Sequence, residues 1–357
     1  MKEGRARLSV AVVQGGPSSE AEVSRASAAS VAKGLTDAGH APVRLELDVF
    51  LAESIRTGGY DVVFPVAHGA VGEDGALQGL LEVLGVPYVG SGVLASALAM
   101  DKRLARRLFA LAGLPVAKGF AVERGDARAA VARARHEVGR RLVVKPASQG
   151  SAIGVRRLDE RAADEDVARA VEAVWELDPV ALVEHFARGR EITCGVLDMA
   201  SERALPPTEI VSPRDDFYTY EARYAPGRSV HTCPAELGER MTAIVQAIAV
   251  AAHRAVGCRD LSRVDMIVGD DSNAEAVTLL EVNTMPGFTA TSLFPEEAAA
   301  AGLAFPDLCD ALVRAAPSWS APAQRGPADA GPVMRSGRRR RAEPGREDGG
   351  FDDAPEA

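Results

Sequence analysis

Short apolar runs alternate with alanine-rich amphipathic stretches over the first hundred residues. Residues 8–13 and 60–67 are β-branched apolar runs typical of buried parallel strands, and residues 42–47 alternate like a strand. Residues 22–38 and 77–84 have the pattern of helices. This β-α-β-β-α order predicts an open parallel α/β sheet whose ligand-contacting loops lie at the carboxyl ends of the strands.

The pattern changes to a small α+β unit in the next ninety residues. A basic helix over residues 101–112 is followed by a strand, a helix, a strand, a glycine-containing loop, and a further strand, helix and strand. The predicted strands cover residues 117–122, 141–145, 153–157 and 180–184, and the predicted helices cover residues 126–137 and a stretch that ends at Trp175.

A third segment combines strands with one long helix. It comprises a strand over 191–197, a polar and aromatic stretch over 212–233, a helix over 236–256, and strands over 262–268 and 276–282. Because only GDDSN and a few neighbouring residues separate the last two strands, we predict an antiparallel hairpin.

Apolar periodicity is lost after Pro317. Residues 318–357 contain seven Arg and seven Asp+Glu, so this tail is net neutral, and we predict that it is disordered. Its Arg338–Arg341 run could bind an anion, but a solvated tail is the favoured interpretation because four charges are weak evidence.

Composition and charge narrow the classes of function. The 357 residues carry a formal net charge of −9, which argues against non-specific binding to nucleic acid or to a membrane surface. The four cysteines show no C-x-x-C spacing, so they indicate neither a zinc site nor a disulfide framework. The N-terminal apolar run is too short for a signal sequence or a membrane span. We therefore expect a cytoplasmic protein.

Three oxygen-bearing side chains fall in the predicted hairpin. Glu281 and Asn283 are two residues apart on one strand, so they face the same side, and Asp265 on the partner strand can join them. An exposed acidic face is the alternative. The acids interrupt apolar strands, however, where an unpaired charge is costly. Hard oxygen ligands without His or Cys favour Mg²⁺ shared with nucleotide phosphates.

Cations and glycine loops supply the groups that would face such a nucleotide. Lys145 ends an apolar strand just before SQGSAIG, a loop whose N–H groups could hold phosphate oxygens, although no Walker sequence is present. Lys102, Arg223 and Arg263 are further candidate cations, each a surface charge if read singly. Glu191, at the start of a strand, could accept hydrogen bonds from ribose hydroxyls.

Two loops near the N-terminus carry acids. The GGPSSEAEVS segment lacks G-x-G-x-x-G, and its Glu20 and Glu22 near a helix start suit a cationic amine better than a phosphate; Glu22 could equally complete a capping box. In HGAVGEDGALQG, three glycines force tight loop geometry next to His68. A buried structural histidine is the common case, but the flanking loop favours a role in a site.

These motifs resemble, in order, those of the D-alanine–D-alanine ligase family of the ATP-grasp superfamily. The matching segments are GGPSSEAEVS, HGAVGEDGALQG, YVGSGVLASALAMDK, VVKPASQGSAIG, FYTYEARY, SRVD and LLEVNTMPGFTATSLFP. The resemblance covers about residues 8–314. It implies an ATP-grasp architecture: an N-terminal α/β substrate domain (1–100), a central small domain (101–190), a C-terminal domain with an omega loop and the metal site (191–317), and the tail (318–357).

The resemblance also implies an activity and the substrate-binding residues. The family joins two D-alanines with ATP, through an acylphosphate and a tetrahedral intermediate, for peptidoglycan synthesis. By position, Glu20 would hold the first ammonium group and, with Ser151 and Tyr224, would link three parts of the chain over the site. His68 would lie beside the first substrate. The remaining positions implied are Arg263 and Gly287 for the oxyanion, and Ser292 and Leu293 for the second carboxylate.

For the nucleotide, the resemblance implies phosphate contacts from Lys102 and Lys145, ribose contacts from Glu191, a further ATP contact from Glu184, and a γ-phosphate contact from Arg223. It assigns Asp265, Glu281 and Asn283 to Mg²⁺ or Mn²⁺, with two ions, and it implies a homodimer.

Departures from the family pattern keep alternatives open. Ala21, Arg223 and His185 stand where the family often has other polar or basic residues, which leaves room for a related ligase that uses D-lactate, D-serine or another amino acid. Tyr224 favours an amine nucleophile, because relatives that make D-alanyl-D-lactate tend to carry Phe there. A non-catalytic nucleotide sensor with an Arg-rich recruiting tail would bind ATP without amino-acid-dependent hydrolysis, and the complete set of catalytic positions argues against it.

Overall fold

The computed structural model describes residues 6–199, 201–212, 229–270, 276–289 and 292–316. Its first sheet is the predicted open parallel sheet, with strand order β2-β1-β3. Its strands are β1 (Ser9–Gln14), β2 (Ala41–Glu46) and β3 (Val62–Pro65), and its helices are α1 (Ala21–Asp37), α2 (Leu51–Gly58) and α3 (Ala76–Leu84). The prediction missed α2, which is short and only partly buried, and made β3 too long at both ends.

Two helices and the second sheet follow. Helix α4 (Val93–Met100), which was not predicted, leads into α5 (Lys102–Leu111), whose first turn is capped by the Asp101 carboxylate. The sheet has the antiparallel order β4-β7-β5-β6. It consists of β4 (Gly119–Glu123), β5 (Leu142–Pro146), β6 (Arg156–Leu158) and β7 (Val180–His185), covered by α6 (Ala127–Glu137) and α7 (Asp164–Trp175).

Strand β6 begins three residues later than the predicted 153–157 strand. Ser151, Ala152 and Gly154 have φ values of 49°, 56° and 75°, a left-handed conformation that cannot continue a strand. The loop after β5 therefore turns tightly before pairing resumes.

The third sheet is antiparallel, with order β11-β10-β8-β12-β13 and with β9 paired to β8. Its strands are β8 (Arg190–Asp198), β9 (Glu202–Ala204), β10 (Thr208–Val211), β11 (Val230–Thr232), β12 (Asp260–Val268) and β13 (Val277–Asn283). Strands β12 and β13 form the predicted hairpin, with an irregularity between Asp265 and Met266. Helix α8 (Glu239–Val256) packs on one face, and α9 (Leu293–Ala300) and α10 (Phe305–Ala315) follow β13.

The first and third sheets share one apolar core. Val31 and Phe64 from the N-terminal part are buried with Leu261 and Phe288, and the rings of Phe64 and Phe288 meet edge to face with centroids 5.3 Å apart. This continuity fixes the loop after β13 against the N-terminal sheet.

Among the described helices, none is both long enough and apolar enough to cross a membrane. The domain boundaries near residues 100 and 190 stay a prediction, and so does the disorder of residues 318–357 with Arg338–Arg341, which lie outside the described residues.

Candidate active site

A cavity of about 410 Å³ brings together residues from all three parts of the fold. It is lined by the N-terminus of α1, the loop after β3, the start of α5, the glycine loop after β5, strands β12 and β13, and the segment before α9. The predicted site residues among its walls are Glu20, His68, Lys102, Ser151, Arg263, Glu281, Asn283, Gly287, Ser292 and Leu293.

A second cavity, of about 150 Å³, lies beside the first and shares Lys102 and Glu281 with it. Its predicted site residues are Lys102, Lys145, Glu184, Glu191 and Glu281, and His185 also lines it. Apolar side chains, including Val143, Phe186 and Ile267, complete the walls. A cavity lined by both apolar side chains and charged groups suits a flat base joined to phosphates.

Glu20 lies where two glycine loops converge. The hydroxyl of Ser151 donates a hydrogen bond to the Glu20 carboxylate across 131 positions of sequence. A Cβ on Gly69 would lie 2.9 Å from the Ser18 Cβ, and one on Gly150 would lie 3.3 Å from Glu20 Oε2. Because glycine has no Cβ, both loops can approach this carboxylate closely.

His68 follows β3 and is almost fully buried. Burial works to lower the pKa of its imidazole, but Glu73, whose Oε2 lies 3.7 Å from Nδ1, and the nearby Glu20 together raise that pKa above its ordinary value. Nε2 has no hydrogen-bond partner within the part of the chain that the structure describes. The ring therefore keeps its positive charge to a higher pH than an ordinary histidine.

Arg263 is held rigidly on β12. Its Nε and Nη2 donate to Asp265 Oδ1 and Oδ2, each at 2.8 Å, and Thr193 Oγ1 donates to Asp265 Oδ1 at 2.7 Å. Arg263 and Asp265 are only 7% and 5% exposed. A bidentate pair of this kind fixes the guanidinium plane, so Arg263 presents a positioned donor to the larger cavity.

The hairpin register places Asp265 opposite Glu281, and Arg263 opposite Asn283. The predicted oxygen-bearing residues are therefore neighbours, and Glu281 and Asn283 line the larger cavity. Lys102 Nζ lies 3.1 Å from Glu281 Oε2, so the lysine ammonium group already pairs with one of these oxygen-bearing residues. The donor set is purely hard oxygen, which fits Mg²⁺ or Mn²⁺.

The lysines at the second cavity are each fixed by neighbouring groups. Lys102 Nζ also donates to the Gln149 carbonyl at 2.7 Å, and Lys145 Nζ lies 2.8 Å from Glu184 Oε2. Glu184 receives a second cation, Arg106, at 3.2 Å. Glu184 is therefore placed to orient Lys145 as well as to border the cavity.

The segment before α9 forms a compact turn around one hydroxyl. Ser292 Oγ accepts a hydrogen bond from Thr289 N at 2.9 Å, and a Cβ on Gly287 would lie 2.8 Å from that oxygen. Ser292 and Leu293 stand at the start of α9, where backbone N–H groups favour an anion such as a carboxylate.

Comparison with known proteins identifies the family. The family model described as the D-ala D-ala ligase C-terminus matches residues 108–314, and the model of the D-ala D-ala ligase N-terminus matches residues 49–91. The chain belongs to the D-alanine–D-alanine ligase family. The D-alanine–D-alanine ligase of Pelotomaculum thermopropionicum is 43% identical over 314 residues, which cover 87% of this chain and 96% of the relative.

Solved structures of the family are also similar to this chain. The D-alanine–D-alanine ligase of Bacillus anthracis in complex with ATP has a TM-score of 0.72 and 28% identity, covering 87% of this chain and 98% of its own. The VanG D-Ala:D-Ser ligase of Enterococcus faecalis has a TM-score of 0.74 and 29% identity, covering 87% and 99%. The fold is therefore that of the ATP-grasp D-alanine–D-alanine ligases.

Two of the residues expected from the family pattern, Arg223 and Tyr224, lie outside the described residues. The structure shows the contact between Glu20 and Ser151, which is one part of the predicted link between Glu20, Ser151 and Tyr224. The γ-phosphate role of Arg223 stays a prediction.

Sequence reasoning missed the supporting residues of this ligase-family site. Glu73 pairs with His68, Thr193 bonds Asp265, and the fully buried Glu297 accepts from Gly195 N at 2.6 Å. Burial raises the pKa of Glu297 well above its ordinary value. Thr193 could have been found from the sequence, because it is a polar residue inside the apolar strand segment EITCGVL. Glu297 could not, because a glutamate on a helix is common and does not indicate burial.

Proposed function

We propose that this chain joins two D-alanine molecules with ATP to form D-alanyl-D-alanine, ADP and phosphate, supplying peptidoglycan precursors. The observation that carries the proposal is the meeting of the two cavities at Lys102 and Glu281. A carboxylate bound in the larger cavity would face the terminal phosphate of a nucleotide bound in the smaller one. The similarity to D-alanine–D-alanine ligases over 87% of the chain supports the same activity.

The first half-reaction uses Glu20 and the lysines. Glu20 would bind the ammonium of the first D-alanine, and His68 would lie beside that substrate, so that its carboxylate attacks the γ-phosphate to give an acylphosphate. Lys102 and Lys145 would offset the negative charge on the phosphates, with Arg223 at the γ-phosphate and with Glu184 and Glu191 on the nucleotide. Asp265, Glu281 and Asn283 would hold Mg²⁺ or Mn²⁺, two ions in all, which would neutralise phosphate charge.

The second half-reaction forms the peptide bond. Ser292 and Leu293 would bind the carboxylate of the second D-alanine. Its neutral amine would attack the acylphosphate carbonyl, and the tetrahedral intermediate would collapse, breaking the bond to phosphate while the nitrogen gives up a proton that leaves with the phosphate. The tetrahedral oxyanion would receive hydrogen bonds from Arg263 and from the Gly287 N–H. Arg263 is suited to this because Asp265 fixes it before substrate arrives. Ser151 and Tyr224, joined to Glu20, would close the site against water.

A ligase with another second substrate is the alternative. The similarity to a D-Ala:D-Ser ligase at 29% identity favours it less than the 43% identity to a D-alanine–D-alanine ligase favours D-alanine. Tyr224 also supports an amine nucleophile over D-lactate.

ADP release with D-alanine, followed by mass analysis of the product, tests the proposal. We expect ADP formation that depends on D-alanine and a product with the mass of the dipeptide. D-serine, D-lactate and L-alanine serve as parallel substrates at neutral pH. A higher kcat/KM for D-lactate or D-serine would replace the proposal with the alternative, and ATP binding without amino-acid-dependent turnover would indicate a sensor.

We also propose that the chain acts in the cytoplasm as a homodimer. The ATP requirement supports the location, and the family resemblance supports the dimer. Light scattering of the purified chain tests the dimer, and a mass of one chain at micromolar concentration would contradict it.

A further inference from the structure

A second group of ligating side chains lies on the face of the third sheet that α8 covers. Asp198 ends β8, Glu202 begins β9 and His253 lies on α8; one ligand atom from each falls within 4.8 Å of the other two. Asp198 and Glu202 are directly paired across the β8–β9 ladder, so their side chains share a face. Cys194 and Val196, which alternate in phase with Asp198, are buried in the same cluster as residues of α8.

The histidine of this group is poised as a ligand. His253 is 0% exposed, and its Nδ1 lies 2.8 Å from the Ser262 hydroxyl. Its Nε2 has no hydrogen-bond partner among the described residues and lies 3.7 Å from Asp198 Oδ2. That separation is too long for a hydrogen bond, but it is close to the roughly 3.4 Å between two ligands of one tetrahedral Zn²⁺ ion.

Burial and the neighbouring carboxylates act in opposite directions on this histidine. Burial lowers the pKa of the His253 imidazole, although Asp198 and Glu202 work against that shift. In the tautomer whose Nδ1–H donates to the Ser262 hydroxyl, which is the one that a metal ligand requires, Nε2 presents a lone pair toward Asp198 and Glu202. A cation bound there would relieve the repulsion among these three groups.

We propose that Asp198, Glu202 and His253 form a binding site for a divalent transition-metal ion of the Zn²⁺ class. One imidazole nitrogen with two carboxylates selects such an ion over Mg²⁺. The Asp198 and Glu202 side chains are 16% and 22% exposed, which leaves room for entry and for water to complete the coordination. Arg254 already bonds Glu202 and must share it, which weakens binding.

The site would act on stability rather than on catalysis. It joins the β8–β9 turn to α8, on the side of the sheet opposite to Arg263 and Asp265. An ion bound there crosslinks two elements in the folded state only, so it raises the melting temperature.

The test is Zn²⁺ binding by the full chain after chelator treatment, followed by calorimetry and thermal unfolding in excess Mg²⁺, which occupies oxygen-only sites. Four variants are compared with the unmodified chain: Asp198→Asn, Glu202→Gln, His253→Gln, and as a matched control Glu172→Gln on the exposed face of α7. We expect one Zn²⁺ per chain with a raised melting temperature, and at least tenfold weaker binding in the first three variants but not in the control.

Asp198→Asn is the decisive variant, because His253→Gln also removes the contact with Ser262 and can impair folding. Zn²⁺ binding by Asp198→Asn that equals that of the unmodified chain overturns the proposal. The absence of Zn²⁺ binding to the unmodified chain at millimolar concentration does so as well, and it would leave a bridging water as the explanation of the 3.7 Å spacing.

Discussion

At the scale of single residues, the larger cavity is lined by charges that are held before any ligand binds. Asp265 fixes Arg263 through two hydrogen bonds, and Glu73 faces His68. Fixed dipoles and charges need no reorganisation during the reaction, which is why such pairs support transition-state stabilisation. Asp265 and Glu73, which hold these charges in place, are therefore as useful for testing the site as the groups that would touch the substrate.

Replacing Glu281 by alanine tests the metal assignment. We expect Mg-ATP-dependent turnover to fall by at least about 10²-fold, because an oxygen ligand beside the phosphates is lost. Thermal unfolding should change little, since Glu281 is partly exposed to the cavity. Glu172→Ala is the control and should keep full turnover; normal kcat in Glu281→Ala would remove Glu281 from the metal site.

The raised pKa of His68 gives a pH prediction. An imidazole with a raised pKa keeps its positive charge to higher pH and loses it as pH rises through that pKa. If the charged ring supports the bound D-alanine, kcat/KM for D-alanine falls on that alkaline side. In Glu73→Gln the main raising influence is gone, so we expect the fall to begin at lower pH. Superimposable profiles for the two proteins would show that His68 charge is not used.

At the scale of elements, the site depends on loops that glycine allows to approach one another. Gly69, after β3, has φ of +73° and lies close to Ser18, whereas Gly39, after α1, has φ of +93° and no atom near the position of a Cβ. The two positions share a backbone cost for any other residue and differ in what a side chain would meet. A substitution at Gly39 therefore tests the backbone cost alone, whereas a substitution at Gly69 also tests the contact with Ser18.

Gly69→Ala and Gly39→Ala form a matched pair of variants. Both should lower the free energy of unfolding by about 1 kcal/mol, because alanine is disfavoured at positive φ. Only Gly69→Ala should also raise KM for D-alanine several-fold, since its methyl group displaces the Ser18–Glu20 segment. Denaturant unfolding and steady-state kinetics measure the two effects, and an equal KM in both variants would contradict the role of the loop contact.

At the scale of the whole molecule, the motifs that resemble the family span about residues 8–314, and the family models match residues 49–91 and 108–314. The formal charge of −9 therefore belongs to the ligase portion, because residues 318–357 are net neutral. We therefore expect anion recognition to be local, through Lys102, Lys145 and Arg263.

Removing residues 318–357 should leave ligation unchanged. None of the proposed site residues lies in that segment, and its sequence lacks the apolar periodicity of a packed element. The kcat and KM of the shortened chain, measured with D-alanine and ATP beside the full chain, check this. A loss of more than about threefold in kcat/KM would assign a function to the tail.

Much of the fold followed from local patterns. The strand pairs of the first sheet and the β12–β13 hairpin were predictable because apolar runs and turn residues act over short sequence distances. Helices α2, α4, α9 and α10 and strands β9, β10 and β11 were not predicted, and β6 was misplaced. In β6 the reason is a loop conformation, since its positive φ values leave little trace in composition.

The sequence by itself determined the residue types that the chemistry needs and, through ordered motifs, the family to which the chain belongs. The tertiary structure decided which of those groups meet: Ser151 with Glu20, Lys102 with Glu281, and Lys145 with Glu184. These pairs are separated by tens to more than a hundred residues, and only the packing of three sheets brings them together. Local patterning carries no information about such distances, because it reports the periodicity of one element and not its neighbours.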